Sequence, residues 1–370
     1  MKVMQTRRLW FPRRHHRHTG IAAPRGTWRL AWRVAGRDLS LLIDQRAALA
    51  NLSLLLALAT VALLSLCLGS VALDPSTTLL ALFGQGEAMP VFVVQALRLP
   101  RLLAGLATGG AFALAGCLMQ TLARNRLATP GIIGIDNGAT AFAVASVVGI
   151  GTSLAPPPMA LVGAATATVV TFALAGDIGT RGYRFIVAGI GVGAMFGALI
   201  QLMLARVAID AANAAYPWTV GSLNTRNTSA LAWLWVGLLV AGIGAAWLSR
   251  ALTVLHFSDA VARGLGYRVK ACRYLALVIA VGLTGLAVAV AGPVGLVALI
   301  GPEIARQLSS PRGVPLTAAM LAGALVMTAA DLVGRLLLAP VEVPVGIVTA
   351  IVGTPCLLWM LLRPTSRFVS

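Results

Sequence analysis

RLPRLLAGLATGGAFALAGCLMQTLARNRLATPGIIGIDNGA, residues 98–139, joins three features that together decide the fold. A pair of arginines, Arg98 and Arg101, stands at the head of an apolar run. The run itself is of membrane-spanning length and studded with glycine and alanine. It ends in a polar turn containing Pro130, Gly131 and Gly134, after which a second apolar stretch begins. Gly105, Gly109 and Ala113 recur every fourth residue, so they share one helix face and allow a neighbouring backbone to approach closely.

Outward from this stretch the same pattern repeats. Runs of about 20 apolar residues, enough to cross ~30 Å of hydrocarbon as helix, are read at 50–71, 101–122, 132–151, 158–175, 185–207, 231–248, 274–291, 294–308, 316–338 and 345–362. Hydrophobic residues make up 58% of the chain and charged residues only 11%, against about 25% charged in a soluble domain. The short alternating strands of an outer-membrane barrel are missing. The expected fold class is therefore all-α: a polytopic integral membrane protein with about ten transmembrane helices, which satisfy their own backbone hydrogen bonds in lipid.

Basic residues set the expected orientation. With the N-terminus in the cytoplasm, the inside connections hold Arg124, Arg126, Arg181, Arg184, Arg250, Arg263, Arg268, Lys270, Arg273, Arg306, Arg312, Arg363 and Arg367. Only Arg98, Arg101, Arg226 and Arg335 fall outside, which puts both termini in the cytoplasm by the positive-inside rule. Two parts follow: a basic cytoplasmic N-terminal tail over residues 1–48 and a transmembrane domain over 49–370. The tail carries eleven of the 29 basic side chains. It reads as a segment retained inside and lying on anionic lipid rather than as a nucleic-acid-binding arm. The first long apolar run begins near residue 50 and is long enough to span, so no signal peptide is read.

Other motifs are weaker. Cys67, Cys117, Cys272 and Cys356 are scattered singly and read as small core residues, without metal-ligand spacing. His15, His16 and His18 lie in the Arg-rich tail and read as solvated, so no metal site is expected. Gly189, Gly191 and Gly193 sit inside an apolar span with no strand before them, which points to close helix packing rather than a dinucleotide loop. The chain has only two lysines, Lys2 and Lys270, neither in a glycine loop, so it has no ATP site of the Walker type.

The polar groups that remain lie at segment ends. Arg98 and Arg101 stand three apart at an external helix start, where cations oppose the helix dipole and an acidic partner would compensate them. Asp331 and Arg335 have the i, i+4 spacing of an internal salt bridge. Within the longest polar inside connection, 252–273, Ser258 reads as the N-cap of a short helix, Asp259 suits its first turn, and Gly264 or Gly266 ends it. Such a helix lying along the membrane would be a knob for a cytoplasmic protein. Asp136, Glu303, Asp331 and Glu342 all fall near predicted ends, which counts against an ion-coupled secondary transporter with acids at mid-membrane.

In order along the chain, RLPR, LAGCLMQ, NRLATPGIIGIDNGA, ARGLG, AGPVGLVALIGPEIAR, AADLVGR, EVPVG and IVGTPCLLWML resemble the FecCD family of ABC importer permeases. The resemblance covers nearly everything after residue 50. It implies a ten-span subunit of the bacterial cytoplasmic (inner) membrane that imports iron-siderophores, haem or vitamin B12 by alternating access, without covalent chemistry of its own. Its implied partners are two cytoplasmic ATPase subunits that bind the ATP and Mg, a second permease copy or related permease, a substrate-binding protein and membrane lipid, with no nucleic acid. No cofactor is bound by the chain itself. Carried over by position, Arg98, Arg101 and Arg335 match arginines that meet glutamates of the binding protein. The segment Ser258, Asp259, Ala260, Val261, Ala262, Arg263, Gly264, Leu265 and Gly266 matches the ATPase coupling loop. Asn125 and Leu127 match the cytoplasmic gate, whose other strand aligns near Arg181 and Gly182.

Two departures stand out. Asn125-Arg126-Leu127-Ala128 replaces the family's NPLA, and Pro302-Glu303-Ile304-Ala305-Arg306 replaces its PHIAR. The segment 189–223, with GIGVGAMFGA and WTVGSLN, resembles the catecholate-siderophore members most closely.

Overall fold

A computed structural model describes residues 26–34, 37–69, 71–150, 154–176, 183–224, 228–255, 259–309 and 313–362. The chain divides between Gln45 and Arg46 into two compact units. The first contains an antiparallel hairpin of β1 (Thr27–Val34) and β2 (Arg37–Asp44), with Thr27 opposite Asp44 and Val34 opposite Arg37. This hairpin was not anticipated. The alternation of Trp28, Leu30, Trp32 and Val34 with Arg29 and Arg33, and of Leu39, Leu41 and Ile43 with Asp38, Ser40 and Asp44, is the period-two signal of a strand, overshadowed in the sequence by the basic composition around it. The expectations placed on His15, His16 and His18 lie outside the described residues.

The second unit is helical: α1 (Gln45–Cys67), α2 (Pro75–Leu82), α3 (Ala88–Phe92), α4 (Leu99–Ala123), α5 (Ile135–Val147), α6 (Pro156–Ala175), α7 (Tyr183–Arg206), α8 (Ile209–Ala215), α9 (Pro217–Val220), α10 (Thr228–Leu255), α11 (Asp259–Gly264), α12 (Val269–Ala291), α13 (Val297–Leu308), α14 (Leu316–Leu336) and α15 (Val345–Leu362). Each of the ten expected spans overlaps one of these helices. Among the described residues seven are long and apolar enough to cross a membrane. The expected spans at 132–151 and 294–308 are shorter: α5 has 13 residues and α13 has 12, about 20 and 18 Å at 1.5 Å per residue. Glycines with positive φ, Gly134 at 75° and Gly292 at 70°, interrupt the helix ahead of each. These two apolar stretches are thus part α-helix and part 3-10 helix, turn or irregular chain, which apolar content alone does not reveal.

The span around the opening motif begins earlier than its apolar run suggests. Residues Ala88–Ala123 form one 36-residue helical path, in which a π-helical turn, Val93–Arg98, joins α3 to α4. Pro100 follows that turn; it lacks an N–H and its ring crowds the carbonyl four residues back, and the wider π turn accommodates both. Arg98 and Arg101 therefore lie along a helix rather than at its start.

α4 is the central pillar. Buried residues make up 89% of its apolar window, against 17% for α1, and α10, α12, α13 and α14 all pack on it. The small-residue face forms the closest of these contacts. A Cβ on Gly109 would fall 2.6 Å from Met327 Cβ and against the Gly323 carbonyl. A Cβ on Gly105 would stand 3.1 Å from Thr328 Cγ2, and Ala113 presses its own Cβ toward Gly301 and Gly323. Gly116 faces the Ala298 carbonyl. The expectation of close packing also holds for Gly189, which abuts Ile132 and Ile133, and for Gly193 beside Gly134; at Gly191 a Cβ would meet nothing within 4 Å. Cys67 and Cys117 are buried, as expected of core residues, and Cys272 is partly so.

Overpacking a closely packed core costs about 1–3 kcal/mol. Gly323→Val should therefore destabilise the purified chain by about that amount, read as a lower midpoint in thermal unfolding. Gly191→Ala should leave the midpoint unchanged.

Candidate docking and gating sites

At one end of α4, Arg98, Arg101 and Arg335 line a single cavity of about 250 Å³, together with Asn224, Glu342 and the apolar side chains of Val93, Leu97 and Leu231. An acidic partner was expected for the first two; Arg101 has two within the chain, whereas Arg98 is met by backbone carbonyls. Arg98 is only 6% exposed. Its Nη1 donates to the carbonyls of Leu66 at 2.6 Å and Cys67 at 2.9 Å, and its Nη2 to that of Val71. These oxygens end or follow α1, where carbonyls lack intrahelical donors and the dipole favours a cation. The guanidinium is thus satisfied by a different helix from its own.

Arg101 is held by two acids. Its Nε donates to Asp331 Oδ1 at 3.0 Å, its Nη2 lies 2.9 Å from the same oxygen, and its Nη1 donates to Glu342 Oε2 at 2.7 Å. Arg335 Nε stands 3.3 Å from Asp331 Oδ2, the expected i, i+4 pair, while its Nη2 donates to Ser65 Oγ at 2.6 Å. Asp331 is therefore shared by two arginines and ties α4 to α14. Three arginines face two carboxylates here, which leaves the cavity wall positive. Glu342, 44% exposed at its side chain, is the one acid of the group open to exchange with solvent.

At the opposite end, the short helix expected in 252–273 is present as α11. Ser258, its expected N-cap, lies outside the described residues. Asp259 accepts from Arg273 Nη2 through both carboxylate oxygens at 2.8 Å and pairs with Arg124 Nη2 at 3.3 Å. Arg124 caps α4 in the left-handed region, φ 50°, and donates from Nε and Nη2 to the Leu255 carbonyl at 2.9 and 2.6 Å. Ala262 is buried, whereas Val261 and Leu265 are 48% and 62% exposed. Ala260, Arg263, Gly264 and Gly266 are exposed as well. Gly266, φ 83°, turns the chain back toward α12. The result is a knob with an anchored base and an apolar, exposed crest.

Beside the knob lies the turn after α4. Asn125 Oδ1 accepts from the Leu127 N–H at 2.9 Å, and Leu127 is 45% exposed. Arg181 and Gly182 lie outside the described residues. Glu303, only 4% exposed, accepts from Arg306 through Oε2 at 3.1 Å (Nε) and 2.6 Å (Nη2). Its other oxygen stands 3.9 Å from Arg126 Nη1. Arg306 Nη1 donates to Gln120 Oε1 at 2.7 Å, and Gln120 Nε2 to the Ala298 carbonyl at 3.3 Å. Ser65, Arg124 and Arg273 thus belong to these clusters although no motif marked them, and Gln120, the last residue of LAGCLMQ, was assigned no role. The acids expected near segment ends are also deeper than the sequence implied, with Asp136, Glu303 and Asp331 all buried.

The sequence model of the FecCD transport family matches residues 55–363. The chain belongs to this family. It is 37% identical over 325 residues to the achromobactin transport system permease protein of Dickeya dadantii, covering 85% of this chain and 90% of that one. It is 35% identical over 303 residues to a ferric enterobactin transport system permease protein of Escherichia coli, covering 81% and 91%. The inward-facing conformation of a metal-chelate type ABC transporter superposes with a TM-score of 0.74 at 25% identity, covering 86% of this chain and 99% of that one. As a FecCD chain with seven long apolar helices, it is a multi-pass protein of the bacterial cytoplasmic membrane.

Removing one partner of a buried ion pair costs about 3–5 kcal/mol because the other charge stays buried, whereas exposed pairs contribute about 0–1 kcal/mol. Asp331→Asn, which strands Arg101 and Arg335 together, should accordingly lower the thermal midpoint of the FecCD chain far more than Glu342→Gln. Comparable shifts for the two would contradict the central place given to Asp331.

Proposed function

We propose that the chain is the membrane-spanning permease subunit of a binding-protein-dependent ABC importer that carries an iron-siderophore across the cytoplasmic membrane. The observation that carries this reading is family membership over residues 55–363, joined to two polar features at opposite ends of α4: a positive cavity wall and an anchored helical knob. The siderophore class is supported by the relatives named for achromobactin and ferric enterobactin. Both termini and the α11 end face the cytoplasm, in keeping with the basic residues around Arg124, Arg250, Arg263 and Arg273.

On this reading the permease performs no covalent chemistry and holds no ATP. Two ATPase subunits seat α11, whose exposed Val261 and Leu265 fit an apolar cleft. Asp259, clasped by Arg124 and Arg273, transmits displacement of the knob to the ends of α4 and α12. Asn125 and Leu127 lie beside that junction and narrow the cytoplasmic mouth of a cavity formed with a second permease copy. On the outer face, acids of a loaded binding protein meet Arg98, Arg101 and Arg335. Arg101 is the cation best placed for this, because exposed Glu342 can yield its Nη1 while buried Asp331 keeps Nε in position. Such contacts contribute orientation and on-rate more than affinity.

Purification of the chain from its native membrane, with mass spectrometry of the co-purifying subunits, tests the reading. Two ATPase chains should accompany two permeases; a stable preparation without ATPase overturns it. In the assembled transporter, Val261→Asp with Leu265→Asp should release the ATPase, whereas Arg101→Gln should leave assembly intact and reduce binding-protein-stimulated ATP hydrolysis.

A further inference from the structure

A second cavity, of about 290 Å³, opens on the flank of the bundle between the start of α1, residues 242–249 in the second half of α10 and the start of α14. Its walls are small or apolar: Ala47, Leu114, Gly242, Ala245, Ala246, Leu316, Ala318 and Met320. The polar lining is confined to Asn51, Ser249, Ser309 and Thr317. Thr317 Oγ1 donates to Asn51 Oδ1 at 3.3 Å, and among the described residues the buried hydroxyl of Ser309 has no hydrogen-bond partner. Thr317 stands at the end of α14 and Ser249 six residues from the end of α10, both on the side of the basic connections, whereas Gly242 lies seven residues, about 10 Å, deeper. The groove therefore runs from a polar collar to an apolar floor.

Charge completes the pattern. Gly242, Ala245, Ala246 and Ser249 form one helical stripe along α10, and Arg250 extends it by four residues from Ala246 at the mouth of the groove. Arg250 is exposed, as is Arg46, which adjoins the lining residue Ala47. A surface that is apolar at depth, hydroxyl- and amide-bearing above, and cationic at its rim repeats the order of acyl chain, glycerol ester and phosphate in a phospholipid.

We propose that this groove is a binding site for an anionic glycerophospholipid. One acyl chain lies along Ala246, Ala318 and Met320, the ester region meets Asn51 and Ser309, and the phosphate faces Arg250. Small side chains at 242, 245 and 246 are what leave room for the chain. The site binds α1, which is otherwise sparsely buried, to α10 and α14 through lipid rather than through side-chain contact alone.

The test is native mass spectrometry of the full-length chain, delipidated in detergent and titrated with dioleoylphosphatidylglycerol or dioleoylphosphatidylcholine. Phosphatidylglycerol should bind more tightly. Ala246→Trp, which fills the groove, should abolish that preference. Arg250→Gln should weaken phosphatidylglycerol about fivefold, as expected for one basic residue near a membrane surface, and leave phosphatidylcholine unchanged. Val240→Trp, on the exposed lipid face of α10 outside the groove, should have no effect. Equal binding of the two lipids by the unaltered chain overturns the proposal, as does phosphatidylglycerol binding that survives Arg250→Gln or falls equally with Val240→Trp. Because Arg250 is exposed, its variant decides the matter even if Ala246→Trp fails to fold.

Discussion

The close approach of α4 to α14 and α13 is the constraint on which the other features rest. In a membrane no hydrophobic force drives helices together, since lipid tails are as apolar as leucine; association depends on packing and on polar contacts between helices. Gly109, Ala113 and Gly116 on α4 meet Gly323, Gly301 and the Ala298 carbonyl at distances that leave no room for larger side chains. Such an interface has few continuous adjustments open to it. It either stays registered or slides as a unit, because close-packed interiors are discontinuous in their rearrangements. The 23-residue interval from Arg101 to Arg124 spans about 35 Å as helix, so a registered α4 links the two polar ends of the molecule mechanically.

Charge is arranged around the same pillar. Asp331 lies between Arg101 and Arg335, Glu303 between Arg306 and Arg126, and Asp259 between Arg273 and Arg124. In every case one arginine comes from α4 or from the turn that follows it. The acid comes from another helix: α14, α13 or α11. A buried carboxylate bound to a single arginine is already neutral, so the second arginine adds a tether and leaves the cluster cationic. At the cavity near Arg98 that residual charge is what the proposed docking of an acidic partner would draw on. At the other end it suits the anionic headgroups that the positive-inside rule would place there.

Much of this was legible in the sequence because bilayer physics is strict. Long apolar runs have to be helices, and small residues every fourth position have to face a neighbour, so the ten segments and the α4 packing face could be read directly. The Asp331–Arg335 pair and the helix after Ser258 were legible too, since both rest on local spacing. What escaped were relations with no local signature. Arg98 looked like an exposed cation because its acceptors are the carbonyls of Leu66, Cys67 and Val71, and carbonyls leave no mark in side-chain sequence. The early start of the helix at Ala88 escaped because Pro90 and Pro100 suggest breaks, which the first turn of a helix and a π turn respectively absorb. Asp136 and Glu303 were placed near exposed ends because α5 and α13 are short and are reached through irregular chain; those irregular segments are packed inside protein, as non-helical backbone at membrane depth has to be.

The two departures from the family pattern are best understood as one change. An imidazole at position 303 can be neutral, whereas the carboxylate present here is 4% exposed and needs positive charge on both of its oxygens. Arg306, one turn later, engages Oε2. Oε1 has no cation on its own helix, and the approach of Arg126 supplies one at 3.9 Å. A proline at 126 could not do this, and an arginine there facing an imidazole would have no acid to meet. Residues 126 and 303, distant in sequence, are thus complementary replacements across the turn that carries Asn125 and Leu127. Their effect is to exchange a proline-stiffened turn for one held by an ion pair. Because Arg126 is 42% exposed at its side chain, that bond is weak and screened by salt, so the turn is restrained without being locked, which is what the proposed gating role asks of it.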